Sequence, residues 1–458
     1  NGGTTWTSRT EPADADPGIP ASDFSRTQAW YDLTITVDPN NRDNIIVGGV
    51  DLFRSTDGAG TWTQLTHWYG GFGFPYVHAD QHYAIYAPGS SSVAYFCNDG
   101  GVFRATGING TPSFDDKGTG YVTAQFYSCA IHPTAYTNYF LAGAQDNGSH
   151  QFTSGTLQNT SQVTGGDGAF CHIDQDQPQF QWTSYVYNNF YRSTDGGSSW
   201  TSVTTTGGDF ISPTDYDDAN NLLYMNNAAG SYRRWDDPQT GGTFNAVTVA
   251  AFGGGNVSAV RVSPNTSNRV FFGLDNGRVV RVDNANTGSP SSTNISTGLP
   301  GAYVTCVEVE TGNDNHLIVT YSNYGVNSIW ESTNGGTSWT SIEGNLPDMP
   351  VRWALFNPNN NDQLVIATEL GVWSTDNINA GATNWGTSNS GLANVRVDML
   401  QLRASDKLMI AATHGRGLFY SDIFTDPTAL FSANELVVYR GHPLQFNSNS
   451  YRGVYYLH

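Results

Sequence analysis

The sequence is poor in charged residues, and basic residues are the scarcest of them. Only 13% of its 458 residues are charged, and 20 Lys and Arg stand against 40 Asp and Glu, for a formal net charge of −20. A nucleic-acid partner needs a basic surface that releases counterions from phosphates, so this composition argues against one. Calcium or a cationic partner stays open, and an acidic surface also keeps a protein soluble in a salty exterior.

Long hydrophobic runs and closely spaced cysteines are also missing. No run of 18 apolar residues occurs, so no transmembrane segment is predicted, and no signal peptide stands at the start. The cysteines Cys97, Cys129, Cys171 and Cys306 form no C-x-x-C pair, which argues against a zinc site. Each lies among β-forming residues, so we predict buried free thiols, with one disulfide as the alternative.

Glycine and aromatic residues are plentiful instead. The chain has 51 Gly and 13% aromatic residues, and helix-forming runs are scarce. This turn-rich, aromatic composition predicts an all-β protein, and it is typical of extracellular proteins rather than disordered ones.

A short motif recurs along the chain. FRSTDGAGTW (53–62) returns as YRSTDGGSSW (191–200), as WESTNGGTSW (330–339) and, stretched, as VWSTDNINAGATNW (372–385). Weaker copies lie between these, at steps of roughly 40 to 51 residues, the length of one four-stranded propeller blade. We therefore predict an all-β fold, a β-propeller of about nine four-stranded repeat units over residues 1–425, with eight to ten units compatible with the pattern.

The motif contains a turn with a local structural role. Its Asp can accept hydrogen bonds from turn N–H groups, its Gly supplies positive φ, and its Trp packs across the hairpin. The first copy differs in having Ala59 where Gly is usual. We predict a structural role for the residues of three copies: Ser55, Asp57 and Trp62; Ser193, Asp195 and Trp200; Ser332, Asn334 and Trp339.

These copies resemble the Asp-box (BNR) repeats of sialidases, sortilin-like receptors and family 74 glycoside hydrolases. The resemblance implies that the boxes lie at the blade periphery and are not catalytic. Over most of the chain, segments such as QAWYDLTITVDP, YVHADQH, NDGGVFR, LAGAQDNGS and ATHGRGLF resemble a group of secreted Bacteroidota proteins. That resemblance implies a secreted or cell-surface protein exported by the type IX system, with a propeller followed by PKD or Ig-like modules.

The two ends of the sequence support further expectations. Residues 426–458 resemble the first strands of a PKD-type β-sandwich, and they are too few to complete one. The opening NGGTTW resembles the second half of an Asp box, whereas the last unit, GRGLFYSD, lacks that half. We therefore expect the N-terminal strand to complete the last blade.

The stretch YVHADQHYAIYAP carries candidate metal ligands. If it forms a strand, His78, Asp80 and His82 lie on one face, because side chains alternate with period two. Such a group can bind a metal or pair a base with the residue that orients it. The alternative is that these residues only line the propeller channel.

Three acidic residues flanked by Gly or Asn lie at matching points of successive units: Asp99, Asp146 and Asp167. With Asp80 they are expected near one mouth of the ring, where two of the four could act as acid and base of a glycoside hydrolase. Calcium is a possible cofactor, because carboxylates suit such a hard cation. The alternative is that these acids form ordinary Asp-Gly turns.

An aromatic loop, HWYGGFGFPY (67–76), is the main candidate for ligand binding. Its side chains Trp68, Tyr69, Phe72, Phe74 and Tyr76 could stack on sugar rings or anchor a protein, and they could equally pack against the protein itself. Sialidase activity is rejected, because no F/Y-R-I-P segment occurs and the few arginines sit at repeat-equivalent positions.

These features favour a secreted or cell-surface binding and scaffolding module. We expect glycan or protein partners, further domains of the same polypeptide, and no nucleic acid. The alternative function is a glycoside hydrolase that acts on an extracellular polysaccharide. The two hypotheses differ in whether paired carboxylates lie in an open cleft or are consumed by backbone turns.

Overall fold

The computed structural model describes residues 2–155, 160–422, 424, 431–433, 446–448 and 454–457. Within these residues it contains nine four-stranded antiparallel sheets and one two-stranded pair, which confirms the predicted fold class and the number of units. The chain divides into two compact units, Asn1–Val122 and Thr123–His458. The helices in the described part are the three-residue 3-10 turns Ala250–Phe252 and Ala380–Ala382, and no helix there could cross a membrane.

The first unit contains two sheets, each a meander of four strands in chain order. The strands of the first sheet are β1 (Thr34–Val37), β2 (Ile45–Gly48), β3 (Leu52–Ser55) and β4 (Thr63–Gln64). Those of the second sheet are β5 (Gln81–Tyr86), β6 (Val93–Asn98), β7 (Gly101–Thr106) and β8 (Ser113–Asp116).

The two sheets of this unit share one hydrophobic core. Ile46 and Leu52 from the first sheet pack in one cluster with Ala84 and Phe96 from the second. Alternate residues of β1 are exposed, and the apolar Ile35 has an exposed fraction of 66%. The loops that lead into β1 and β5 carry the acidic and aromatic residues discussed below.

The second unit contains seven sheets of the same kind. Their strands are β9 (Phe126–Ile131), β10 (Phe140–Ala144), β11 (Gly148–Phe152), β12 (Ser161–Thr164); β13 (Cys171–Ile173), β14 (Gln181–Ser184), β15 (Phe190–Ser193), β16 (Thr201–Val203); β17 (Thr214–Asp217), β18 (Leu222–Asn226), β19 (Ser231–Asp236), β20 (Thr243–Thr248); β21 (Val257–Val262), β22 (Val270–Leu274), β23 (Val279–Asp283), β24 (Ser291–Asn294); β25 (Val304–Glu310), β26 (Asn313–Tyr321), β27 (Ile329–Ser332), β28 (Thr340–Ser341); β29 (Val351–Asn357), β30 (Asn360–Thr368), β31 (Gly371–Thr375), β32 (Gly386–Thr387); and β33 (Val397–Leu402), β34 (Met409–Thr413), β35 (Leu418–Ser421), β38 (Val454–Leu457).

Each sheet of the second unit packs against the next, and the last packs against the first. Trp182 and Trp235, from consecutive sheets, belong to one buried cluster. Phe126 on β9 shares another cluster with Met399 on β33 and Ile410 on β34. The seven sheets therefore form a closed cycle of packed blades within this unit.

The fourth strand of the last sheet comes from the end of the described chain. Val454–Leu457 pairs antiparallel with Leu418–Ser421, with Leu418 opposite Leu457. The expectation that the N-terminal strand completes this blade is therefore wrong, because Val454–Leu457 already pairs with the edge of β35. The two remaining described strands, β36 (Phe431–Ala433) and β37 (Phe446–Ser448), pair with each other. The other residues of the predicted PKD-like module lie outside the described residues, as does Asn1, so that module stays a prediction.

All four cysteines are free thiols, as expected. Cys129, Cys171 and Cys306 are buried, whereas Cys97 is partly exposed. Burial raises the pKa of the Cys171 thiol to about 12, so it stays protonated and unreactive at neutral pH.

Candidate functional site

The first Ser-x-Asp turn closes on itself through its own polar side chains. The Ser55 hydroxyl donates to Asp57 Oδ1 at 2.8 Å, and the N–H groups of Gly60 and Thr61 donate to the same oxygen at 2.9 and 2.8 Å. The Ala59 N–H donates to Ser55 Oγ at 2.9 Å. Hydrogen bonds from Thr61 and Ser55 lower the pKa of Asp57 to about 2, so the carboxylate stays charged and engaged in the turn.

The second and third turns repeat this pattern. Oδ1 of Asp195 accepts the Ser199 N–H at 2.9 Å, and Oδ1 of Asn334 accepts the Ser338 N–H at 2.9 Å. The Ser193 and Ser332 hydroxyls donate to the same two oxygens, as the Ser55 hydroxyl donates to Asp57 Oδ1. The indole N–H groups of the three tryptophans donate hydrogen bonds to backbone carbonyls: Trp62 to Thr10 at 2.7 Å, Trp200 to Gly197 at 3.2 Å and Trp339 to Ile295 at 2.6 Å. These groups are used locally, which leaves them little capacity for catalysis.

Asp146 and Asp167 lie in turns of the second unit. Asp146 has φ of 62° in the turn between β10 and β11, and its N–H donates to Asp167 Oδ1 at 3.0 Å. Asp167 therefore accepts a hydrogen bond from the turn that contains Asp146, rather than only forming an Asp-Gly turn of its own. This use of Asp167 weakens its candidacy as a catalytic acid or base.

The stretch with His78, Asp80 and His82 is not one continuous strand. β5 begins at Gln81, and Asp80 has φ of 66°, so alternation does not place the three side chains on one face. The His78 ring packs against Gly100, where a Cβ atom would lie 2.4 Å from the ring. His82 Nε2 instead lies 2.6 Å from Asp99 Oδ1. The premise of the predicted metal triad is therefore wrong, although His82 does join the acidic residues.

Asp99 lies between an aromatic residue and a histidine. The Tyr31 hydroxyl donates to Asp99 Oδ2 at 2.6 Å. The rings of Tyr31 and His82 pack edge to face, with their centroids 4.7 Å apart. Trp30 is 84% exposed, and the centroid of its ring lies 5.6 Å from that of Tyr31. A carboxylate oxygen of Asp80 lies within 4.8 Å of one of Asp99. The first unit thus brings together two of the four predicted acids.

Asp32 completes this group, and sequence reasoning missed it. Its residue exposure is 0%, and neither of its side-chain oxygens has a hydrogen-bonding donor among the described residues. Burial, followed by the charge of neighbouring Asp80, raises the pKa of Asp32 to about 7. Burial and the charge of Asp99 likewise raise the pKa of Asp80. We call Asp32, Asp80 and Asp99 the carboxylate cluster.

The only sequence signal for Asp32 is an acidic residue that follows the aromatic pair in QAWYDL, directly before an apolar strand. That pattern does not separate a buried Asp from an exposed one, because Asp also favours the turns that precede strands.

The aromatic loop (His67–Tyr76) is exposed, and hydrogen bonds fix its backbone. The His67 N–H donates to the Pro75 carbonyl at 3.0 Å, and the Phe74 N–H donates to that of Gly71 at 3.0 Å. Trp68, Tyr69, Phe72 and Tyr76 have exposed fractions of 41 to 55%, whereas Phe74 is partly buried and His67 is fully buried. The loop therefore presents several rings to solvent on a fixed backbone.

Asp16 anchors the aromatic loop from a second acidic group. Its Oδ1 accepts the Tyr69 hydroxyl at 2.6 Å, and its Oδ2 accepts the Trp68 indole N–H at 3.4 Å. Arg26 donates to Asp16 at 2.5 Å and to Asp14 at 2.8 Å. Burial alone would raise the pKa of Asp16, but hydrogen bonds from Tyr69, Arg26 and Trp68 outweigh it and lower the pKa to about 2. This second group therefore contains its own cation.

The second unit carries a polar group that the sequence analysis did not assemble. Arg396 donates to Asp398 Oδ1 at 2.9 Å, and Arg352 donates to Glu369 at 2.6 Å. His414 Nδ1 lies 3.4 Å from Asp398 Oδ2. The arginines balance these acids, so the group is a network of ion pairs.

Comparisons with known proteins support the fold. No protein-family model and no curated protein matches the chain. The chain is similar to the crystal structure of a GH74 xyloglucanase from Xanthomonas campestris, with a TM-score of 0.54 and 17% identity, over 84% of this chain and 58% of that chain. It is also similar to YCF48 bound to D1 peptide, with a TM-score of 0.41 and 13% identity, over 75% of this chain and 92% of that chain.

The chain spans 58% of the length of the xyloglucanase. At 17% identity the likeness shows a shared fold and nothing more. Together with the nine four-stranded antiparallel sheets, it identifies the architecture as that of a β-propeller protein.

Proposed function

We propose that the protein is a secreted or cell-surface binding module whose first unit presents the aromatic loop to glycans. One observation carries the proposal: the exposed rings of Trp68 and Tyr69 are held by hydrogen bonds to Asp16, which is itself fixed by Arg26. Exposed apolar patches with a polar rim mark interaction sites, and aromatic rings stack on sugar faces. Rings that are already fixed lose little conformational entropy on binding.

Glycan binding is testable by affinity electrophoresis in gels that contain one polysaccharide each. We expect at least one polysaccharide to retard the wild type, and Trp68→Ala and Tyr69→Ala to weaken that retardation about tenfold, the loss of about 1.4 kcal/mol of stacking. Trp6→Ala is the matched control, because Trp6 is 90% exposed but lies outside the loop. Equal retardation of wild type and loop variants, or no retardation in any gel, would contradict the proposal.

The resemblance to secreted Bacteroidota proteins supports an extracellular location. We propose export by the type IX system, with the PKD-like module after residue 425 as part of the same polypeptide. The protein should then appear in the medium or on the surface of a wild-type strain and be absent there in a type IX export mutant. Equal amounts outside both strains would contradict this route.

A glycoside hydrolase is the second candidate, favoured by the spacing of Asp80 and Asp99. Their carboxylate oxygens lie within 4.8 Å, and retaining glycosidases place their two carboxyl groups about 5–5.5 Å apart. The raised pKa of Asp80 suits a proton donor, which leaves Asp99 as the nucleophile of the pair. Against this candidate, Tyr31 and His82 already engage both oxygens of Asp99.

Release of reducing ends from a polysaccharide panel decides between the two functions. A hydrolase should lose activity at least a hundredfold in Asp80→Asn and Asp99→Asn. Asp146→Asn and Asp167→Asn test the candidates of the second unit, and Asp57→Asn is a control carboxylate that serves a turn. Bound polysaccharide with no product from any substrate supports the binding module and rejects the hydrolase.

A further inference from the structure

The two acidic groups of the first unit differ in how their charge is balanced. In one group, Arg26 lies among the carboxylates of Asp14, Asp16 and Asp51, at 2.8, 2.5 and 3.8 Å. In the carboxylate cluster, by contrast, no Lys or Arg within the described residues of the first unit is ion-paired with Asp32 or Asp80. The first group therefore contains a permanent cation of its own, whereas the described part of the first unit pairs no Lys or Arg with Asp32 or Asp80.

Asp32 gives the strongest indication that a ligand is missing. A fully buried carboxyl group normally receives hydrogen bonds that repay the loss of water. Asp32 is 0% exposed, and neither of its oxygens has an N–H or hydroxyl donor in the described part of the chain. Its charged neighbours are the carboxyl group of Asp80, which raises its pKa, and His82, which lowers it by a smaller amount. Such an arrangement is costly unless a proton or a metal ion lies between the two groups.

The geometry also fits coordination by oxygen atoms. Oxygens of Asp80 and Asp99 lie within 4.8 Å of each other, close enough for both to reach one ion at the 2.3–2.6 Å typical of calcium. His82 and Tyr31 hold Asp99 by its two oxygens at 2.6 Å each, in the way that hydrogen-bonding neighbours commonly orient a carboxylate that binds a metal. Asp80 with φ of 66° comes directly before β5, which sets its side chain at the end of a rigid strand.

We propose that Asp32, Asp80 and Asp99 bind a divalent cation of the calcium class. The ion supplies the counter-charge of Asp32 and Asp80, as Arg26 does for the other group. The ligand set is made of carboxylate oxygens, which favours a hard cation over zinc or copper. This inference does not rest on glycan binding, and it places the ion on a set of residues that differs from the His78, Asp80 and His82 expected from the sequence.

Terbium luminescence tests the site directly, because Tb³⁺ replaces Ca²⁺ and is sensitised by nearby aromatic rings. Tyr31 touches Asp99, so excitation of the chelator-treated, metal-free protein should produce Tb³⁺ emission that added Ca²⁺ displaces. Calorimetry with Ca²⁺ gives the affinity without a probe. We expect Asp32→Asn and Asp80→Asn to weaken Ca²⁺ binding at least tenfold, because each removes one charged ligand.

The matched control is Asp14→Asn, a change in the acidic group that Arg26 already balances. It should leave Ca²⁺ affinity within twofold of the wild type. Folding of every variant is checked by circular dichroism, and Ca²⁺ at the same concentration should raise the melting temperature of the wild type more than that of Asp32→Asn. The proposal is overturned if the wild type binds no Ca²⁺ at millimolar concentration, or if Asp32→Asn and Asp80→Asn bind as tightly as the wild type.

Discussion

The Tyr31 hydroxyl donates a 2.6 Å hydrogen bond to Oδ2 of Asp99, across 68 residues of chain. The bond joins the loop before β1 to the turn between β6 and β7, and thus links the two sheets of the first unit. A hydrogen bond to a charged acceptor is stronger than a neutral one. It therefore contributes to stability as well as to the position of Asp99.

Removal of that hydroxyl has a measurable cost. We predict that Tyr31→Phe lowers the free energy of unfolding of the first unit by about 1 kcal/mol, because the hydrogen bond to Asp99 Oδ2 is lost while the aromatic packing is retained. Urea unfolding followed by fluorescence measures the change. Tyr83→Phe is the control on a residue of similar exposure, and an equal loss in both variants would contradict the assigned role of the bond.

Asp32 should make the metal-free protein less stable as the pH rises. Its pKa is raised to about 7 in the folded state, above its ordinary value of 3.8, so the folded state binds a proton more tightly than the unfolded state. The stabilisation from that proton is full below about pH 4 and is lost as the pH rises through 7. Asp32→Asn removes the charge and should be more stable than the wild type at pH 8, by up to about 4 kcal/mol, the free-energy equivalent of a pKa raised from 3.8 to about 7.

Unfolding at pH 5 and pH 8 in the presence of a chelator measures this difference. The advantage of the variant over the wild type should be smaller at pH 5 than at pH 8, because the wild type loses stability continuously between about pH 4 and pH 7. A variant that is less stable than the wild type at pH 8 would show that the Asp32 charge is compensated in the metal-free protein.

Asn334 shows which chemistry the Ser-x-Asp turn requires. Its Oδ1 accepts the Ser338 N–H at 2.9 Å, as Oδ1 of Asp195 accepts the Ser199 N–H. We therefore predict that Asp195→Asn, which keeps the acceptor, loses less stability at pH 7 than Asp195→Ala, which removes it and lowers the melting temperature by several degrees.

The same turn predicts a response to acid. Hydrogen bonds from Ser199 and Ser193 lower the pKa of Asp195 to about 2, so its contribution is present above pH 4 and is lost as the pH falls through 2. The melting temperature of Asp195→Asn should therefore fall less than that of the wild type between pH 4 and pH 2. Parallel curves for the two proteins would contradict this role of the charge.

Much of the fold could be predicted from the sequence, because each blade is encoded by local signals. The repeat length and the S-x-D-x-G turn indicate four-stranded units wherever they recur. Their assembly could not be predicted in this way. The contact of the Cys129 N–H with the Met399 sulfur at 3.4 Å joins residues 270 positions apart, and no local pattern shows that β9 and β33 meet.

The candidate site was only half predictable, for a similar reason. Asp80 and Asp99 can be recognised in the sequence, because Asp80 lies between two histidines in HADQH and Asp99 is followed by two glycines in NDGG. The positive φ of Asp80 breaks the strand that its sequence suggests, since non-Gly residues rarely adopt it. Asp32 is buried beside Asp80, a residue distant in the sequence, and no single segment encodes that contact.

Gly336 tests how closely neighbouring blades of the second unit fit together. Its φ is 82°, and a Cβ atom there would lie 2.6 Å from Cβ of Ile295, the residue whose carbonyl accepts the Trp339 indole N–H. Gly336→Ala therefore combines backbone strain with a clash in a packed core, and we expect it to cost about 3 kcal/mol of unfolding free energy. Gly298→Ala is the matched control, because Gly298 has φ of 91° and a Cβ atom there would meet no other atom within 4 Å, so strain alone should cost about 1–2 kcal/mol. Denaturant unfolding of both variants measures the difference, and equal costs would show that Ile295 moves aside freely.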